Sequence, residues 1–523
     1  MIRFKTISLF ILLLYVSGVT AQQKTENKLQ PVIEKFVNET EDHSQLEKLA
    51  HELLDEIGPR LVGSSQMEDS HNWSVDIFKN WGIPARNEAF GTWRAWERGI
   101  SHIDMVSPYV KSLDAMQLAW SPATKKPITA EVIAMPVFNS EAEFKSWVPK
   151  VKGKIVLISQ NQNYGRSDYQ YKEFATEASY QKITEEKKIQ SEAWKKSMDL
   201  TGYNTNTLPL YLEENGAVVI AISNWTGIMG ANRIFGAKTK NIPMIDIAQE
   251  EYNQLYRLAE KGKKPSLSVN VQSKFNGNAS VYNTIAEIKG KEKPNEYVIL
   301  SAHLDSWDGG QGATDNGTGV ITVMEAARML RKFYPDNKRT ILVCLWGSEE
   351  QGLNGSRAFV EDHPEIIQNT QAVFNFDSGT GRITRINGGG FEKSYDFLSR
   401  WLNAAPENIT KEIETTFPGS PSGGGSDHAS FIAKGIPAFM MGSLNWGYFG
   451  YTWHTQRDTY DKIVFDDLKY NAILAASLVY MACEEEDLVN RERRIMPLDK
   501  DGKNTEWPEF KKAERTSDYY FVK

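Results

Sequence analysis

Two textures of hydrophobic patterning divide this chain. From about residue 283, short apolar runs alternate with segments whose apolar positions recur at helical spacing. NTIAEIKG, EYVILSAH, RTILVCLWG, AVFNFDSG and IPAFMMGS read as strands. Between them, Gly317 to Phe333 sets Val320, Val323, Met324, Ala327 and Leu330 on one helical face. Gly352 to Asp362, Phe391 to Ala404 and Asp466 to Cys483 read as further helices. Strands alternating with helices predict an α/β fold whose mixed, largely parallel sheet is sandwiched by helices.

Upstream the texture differs. Residues 22 to about 60 read as helical, with Leu46, Leu49, Leu53 and Leu54 at helical spacing and Gly58-Pro59 as the stop. The turn-rich IGPRLVGSS leads to a second helix near Gln66 to Trp81, and strands are expected within Gly91 to Pro108. From about residue 125, ITAEVIAMP, GKIVLIS, AVVIAIS and IPMIDIA are short β-rich runs separated by polar chain. Tyr180 to Leu200, with Glu192 and Lys196 at i,i+4, reads as a solvated surface helix among them. Residues 125–280 are therefore expected to form an inserted β-rich domain, dividing the remainder into 22–124 and 281–485. The tail, 486–523, is polar and offers little core-forming material.

The N-terminus reads as a secretory signal peptide over 1–21: Arg3 and Lys5, an apolar stretch from Ile7 to Val16, then Val19-Thr20-Ala21 before Gln22. The apolar run is shorter than the roughly 20 residues a span requires. This predicts export, periplasmic or secreted, with no membrane span after signal removal. Hydrophobic content of 41% and charged content of 24% indicate a globular chain, and 523 residues exceed one ordinary domain. A net charge of -7 without a basic stripe argues against nucleic acid as a partner. The two cysteines, Cys344 and Cys483, lie in apolar runs and read as buried free thiols, which argues against a thiolate metal site or nucleophile.

Candidate chemistry gathers where strands end. His303 and Asp305 follow EYVILSA, and Asp315 follows a glycine-rich loop. Glu349 and Glu350 follow RTILVCLWGS, Asp377 follows AVFNF, and His454 lies in YTWHTQRDT. Ligands of open α/β sheets bind beyond the carboxyl ends of strands. Buried carboxylates without counter-charge are costly, and a divalent cation removes that cost. Imidazole and carboxylate without thiolate suit Zn²⁺ and, less well, Mn²⁺ or Co²⁺. Each element alone has an ordinary reading: a lone His-x-Asp is a weak signal, Glu349-Glu350 could be an exposed pair, and Asp377 could cap a turn. Their joint placement favours metal. The other histidines read as ordinary except His428, whose loop SGGGSDHASF is expected to border the pocket.

HLDS, GATDNGTG, SEEQGLNGS, FNFDSG and HTQRDTYDKI, with IGPRLVGSS and SDHASFIAKGIPA, resemble the di-zinc exopeptidase family of bacterial leucyl aminopeptidases, glutamate carboxypeptidase and carboxypeptidase Q. The resemblance runs from about residue 40 to 485, with a layout most similar to carboxypeptidase Q. The insert resembles the protease-associated domain of many members. The resemblance implies two Zn²⁺ ions per chain, Asp315 bridging them, His303 and Asp377 completing one site and Glu350 and His454 the other. It also implies Glu349 as general base and Asp305 accepting the second N–H of His303, thereby fixing its tautomer. It further implies a cis peptide between Asp315 and Asn316 and a water activated by the ion pair.

An amidohydrolase class shares the ligand order but places a lid domain between the last two ligands. Here Asp377 and His454 are 77 residues apart, an interval already holding a helix, a strand and loops. A glutaminyl cyclase has a similar sheet with one zinc, and a receptor-like relative keeps the fold without ligands, whereas every ligand position is filled here. The expected substrates are short peptides, cut from the end by an aminopeptidase or dipeptidase, with a carboxypeptidase as the second reading and homodimerisation left open. Arg382, Arg385 and Arg457 lie near the motifs as candidates for a substrate carboxylate. The aromatic loop Asn445 to Trp453 is expected to wall the pocket.

Overall fold

The computed structural model describes residues 30–518; the expected signal peptide, 1–21, lies outside them. Four parallel strands form the centre of the sheet, in the spatial order Ala438–Ser443, Thr370–Asn375, Lys293–His303 and Arg339–Trp346. Ile383–Asn387 joins antiparallel on one side and Ser266–Ile288 on the other. The alternation of side chains along each strand fills two cores. From Arg339–Trp346, Ile341, Val343 and Leu345 enter one core with the helices Thr318–Phe333 and Phe465–Glu484. Leu342, Cys344 and Trp346 enter the other, with Asn354–Asp362 and His428–Ala433. Both faces are covered, which is why these strands read as continuous apolar runs. Cys344 and Cys483 are free and belong to opposite cores.

Ala85–Ser107 and Ser266–Ile288, 23 residues each, pair as a long antiparallel ribbon that carries the sheet outward. Beyond it, Ile128–Ala134, Ile155–Leu157, Val219–Ile222 and Met244–Ile247 run parallel, with Ala115–Gln117 antiparallel at the edge. All four predicted runs are strands, yet this segment is α/β rather than β-rich. Glu177–Thr201, Leu208–Glu214 and Gln249–Glu260 are helices. Parallel neighbours need crossover connections, and most of the polar chain between the runs supplies them as helix. The cores of this segment also draw in Ile103, Met105 and Leu118, all upstream of residue 125.

The tail departs from expectation. Trp507 and Phe510 pack against the core that holds Leu342, Cys344 and Trp346. The Thr92 N–H donates to the Arg515 carbonyl at 2.8 Å, and Arg515 forms a two-pronged pair with Asp362. A Cβ at Gly91 would lie 2.2 Å from that Arg515 carbonyl, so the strap crosses where only glycine fits. Few apolar residues suffice because the tail adds to an existing core.

Arg60, from the IGPRLVGSS turn, is fully buried. Its guanidinium donates to the carbonyls of Leu304 (2.7 Å), Gly58 (3.1 Å), Gln311 (2.8 Å) and Gly312 (2.8 Å). Burial lowers its pKa to about 10, so it stays charged at neutral pH. It thereby clamps both ends of the loop that follows His303. Arg60→Ala strands four carbonyls and is expected to cost about 3–5 kcal/mol. Urea unfolding reads this as a lowered midpoint, with Arg60→Lys recovering part of it.

Candidate metal centre

Each of the four parallel strands delivers polar side chains beyond its carboxyl end. His303 closes the strand Lys293–His303, and Ser348 to Glu350 follow Arg339–Trp346. Asp377 follows Thr370–Asn375, and the chain leaving Ala438–Ser443 reaches His454. The loop after His303 doubles back before the helix Thr318–Phe333, and Gly312 (φ +62°) permits this. A Cβ there would meet the Ser306 side chain at 2.4 Å. The Asp315–Asn316 peptide is cis.

Two groups of potential ligands result, and Asp315 belongs to both. His303, Asp315 and Asp377 form one, and Asp315, Glu350 and His454 the other; within each, one ligand atom per residue lies within 4.8 Å of the rest. The two carboxylate oxygens of Asp315 face different partners. Oδ1 is 3.3 Å from His303 Nε2, and Oδ2 is 3.2 Å from His454 Nε2. His303 Nε2 also lies 3.3 Å from Asp377, and His454 Nε2 2.9 Å from Glu350. Burial opposes charge on both imidazoles, yet the surrounding carboxylates win. They hold His303 well above its usual range and raise His454 to about 10. Burial also drives Glu350 up to about 7 against the pull of His454. For Asp315, burial is outweighed by hydrogen bonds from the two imidazoles, which hold its pKa below the ordinary carboxylate range. Glu350 Oε1 is buried without a hydrogen-bond donor, and the ring nitrogen of His454 at 3.2 Å is all that faces Asp315 Oδ2 among the ion pairs of the site. Anionic oxygens so sparsely partnered beside imidazole nitrogens, with no thiolate present, fit a hard-to-borderline divalent cation.

Glu349 and Asp305 adjoin these groups. Burial pushes the Glu349 carboxyl well above its usual range; His303 opposes the shift, and Asp377, Asp427 and Glu350 reinforce it. The bond expected from His303 to Asp305 takes another form. His303 Nδ1 lies 2.9 Å from the Asp305 backbone carbonyl and 3.7 Å from its carboxylate. The Asp305 carboxylate instead accepts from the backbone N–H groups of Glu349 (3.0 Å) and Glu350 (3.2 Å). It thus fixes the loop that carries both glutamates.

Three residues near the site escaped prediction. Asp458 is buried and accepts from the N–H groups of Thr314 (2.8 Å) and Asp315 (3.0 Å) and from the Thr314 hydroxyl. Arg60 holds the loop from below. Asp427 is fully buried, and burial raises its pKa to about 7 despite His303. All three stand inside quoted motifs, RDT, GPR and SDH, which was the available signal. His428 is buried and near-neutral, its pKa lowered by burial to about 4. The aromatic loop divides: Tyr448 is buried, Trp453 stacks on His454, and Trp446, Phe449 and Tyr451 are exposed. Arg382 pairs with Glu412 and Asp467, Arg457 with Asp114, and Arg385 donates to the Ser443 carbonyl.

Residues 283–479 match the model of peptidase family M28. The chain is 26% identical to carboxypeptidase Q of Mus musculus over 441 residues, covering 84% of this chain and 86% of the relative. Among solved structures, a peptidase M28 precursor from Shewanella amazonensis superposes with a TM-score of 0.64 at 24% identity, covering 90% of this chain and 98% of the other. A zinc aminopeptidase from Bacillus subtilis gives 0.55 at 19% identity, covering 86% and 97%. These two likenesses share the fold.

Because both imidazoles are protonated at pH 7 when the site is metal-free, a cation must displace those protons. Uptake of Zn²⁺ is therefore expected to release at least about two protons per chain near pH 7, one from each imidazole with a further fraction from Glu350, and to weaken on acidification. Calorimetry in buffers of different ionisation enthalpy measures this; uptake without net release would contradict the charge states described.

Proposed function

We propose that this chain, whose residues 283–479 match peptidase family M28, is a metallo-exopeptidase that removes residues from the amino end of short peptides, as an aminopeptidase or dipeptidase with two zinc ions. The observation that carries this reading is Asp315, whose two oxygens face the two ligand groups separately. His303 and Asp377 would complete one site and Glu350 and His454 the other. Zinc bound there would supply a nucleophilic water at neutral pH and positive charge for the developing oxyanion. Glu349 is the general base: it holds the proton of the attacking water and delivers it to the leaving amine. Its raised pKa suits a group that must carry that proton. Asp305 positions Glu349 and Glu350 through their backbone N–H groups, and Asp458 does the same for Asp315.

The preference for a free ammonium rests on charge. The site is crowded with carboxylates, and Arg382 and Arg457, two of the three cations first considered for a substrate carboxylate, pair with acidic side chains elsewhere, which supports the ammonium reading. Residues 125–280 are assigned as an inserted protease-associated domain and 281–485 as the catalytic unit. The polar-apolar-small order of residues 1–21 supports export. Among the described residues no helix is long and apolar enough to cross a membrane.

Glu349→Ala is expected to keep both zinc ions while turnover falls about 10²–10⁴-fold; Asp315→Ala is expected to lose metal as well. Metal analysis beside steady-state kinetics separates the two, and near-normal hydrolysis by Glu349→Ala would refute the assignment. With Ala-Leu, N-acetyl-Ala-Leu and Ala-Leu-amide as substrates, the acetylated peptide is expected to resist cleavage; cutting of the amide marks an aminopeptidase and cutting of Ala-Leu alone a dipeptidase. Cleavage of the acetylated peptide but not of the amide would make the chain a carboxypeptidase, and equal cleavage of all three would exclude an exopeptidase.

A further inference from the structure

His454 is held differently from His303. The Nδ1 of His303 has the Asp305 carbonyl, whereas the Nδ1 of His454 is buried without a hydrogen-bond partner. A metal-facing histidine is ordinarily oriented by a bond to its second nitrogen. Rings surround His454 instead. Trp453 stacks on it at 3.8 Å between centroids and 26° between planes, Phe235 meets it edge-on at 5.3 Å, and Trp307 lies tilted at 6.2 Å. The Arg233 guanidinium sits 5.2 Å over Trp453 and donates to the Phe449 carbonyl at 3.0 Å.

The backbone of His454 also needs support. Its φ is +61°, in the left-handed region that a residue with a side chain adopts at some cost. That support comes from the insert. The Ile234 N–H donates to the His454 carbonyl at 2.9 Å, Arg233 and Thr455 form an antiparallel bridge, and the Asn232 N–H donates to Gln456 Oε1 at 2.9 Å. In turn, the Asn232 side chain is anchored inside the insert on buried Asp246 at 2.6 Å.

We propose that Arg233 and Phe235, from the inserted segment, are positioning residues for His454, so that the insert sets the affinity of one metal site and not the other. The inference rests on the proposed dinuclear reading. Stacking and the 232–235 backbone do for this imidazole what a carbonyl does for His303. Phe235 bears on the ring directly and Arg233 through Trp453, so removing either frees a ring whose Nδ1 no hydrogen bond retains.

The test is Zn²⁺ affinity, by competition with a chromophoric chelator, in full-length chains that keep one site each. His303→Ala leaves the group containing His454, and His454→Ala leaves the group containing His303. Phe235→Ala is expected to weaken Zn²⁺ about 10–100-fold in the first background and to leave the second unchanged, with Phe235→Tyr restoring the loss. Arg233→Ala, on a partly exposed side chain, is expected to act in the same direction and serves if Phe235→Ala does not fold. Equal weakening in both backgrounds, or none in the first, with an unaltered circular dichroism spectrum, overturns the proposal. A wild-type chain that binds no Zn²⁺ overturns the dinuclear reading and this inference together, whereas two ions bound with no selective loss overturn only the inference.

Discussion

The structure depends on a concentration of negative charge that burial makes unstable by itself. Asp315, Asp377 and Glu350 converge with His303 and His454 at the mouth of a parallel sheet, and Glu349, Asp305 and Asp427 stand close behind. At an effective dielectric of 20, two like charges 4 Å apart repel by about 4 kcal/mol. In the metal-free molecule the cluster answers by drawing protons onto both imidazoles and onto Glu349. Divalent cations held by these groups would replace those protons with fixed charge.

Around that cluster the backbone is held by groups that never face it. Arg60 ties carbonyls on both sides of the glycine loop, Asp458 holds the N–H groups of Thr314 and Asp315, and Asp305 holds those of Glu349 and Glu350. Each is buried and saturates main-chain groups that a turn would otherwise leave unpaired. Loops could not hold these five side chains in two groups, each with its potential ligand atoms within 4.8 Å of one another, without such fixing.

This division explains what was legible in the sequence. The central strands announce themselves because both faces are buried, and a parallel strand reveals its functional end as the polar residue that terminates the apolar run. His303, Glu349, Glu350 and Asp377 are legible on that ground. Asp458, Arg60 and Asp427 are not, because their partners lie far away in sequence and a single Asp or Arg in a turn has many ordinary uses. The same holds for the Asp305 carboxylate, whose partner is a backbone 44 residues on rather than the adjacent histidine. Helices of the insert were underestimated because short apolar runs dominate its pattern, and the tail because strapping onto a finished core requires only Trp507, Phe510 and a few hydrogen bonds.

Residues 232–235 meet the site through their main chain. A segment that served only as a cover would contact the rim, through side chains that could separate. Instead, residues 232–236 bridge to the chain at Thr455 and donate to the carbonyl of His454 itself, while Arg98 grips Asp308 with two hydrogen bonds from the long ribbon. Such main-chain and two-pronged contacts resist sliding. They hold the two segments that bracket the second ligand group, the loop after His303 and the loop carrying His454, against one scaffold. The parallel sheet supplies four strand ends. The loop after the last of them is tied to the loop after His303 by Asp458, and residues 232–235 complete the backbone at its left-handed histidine.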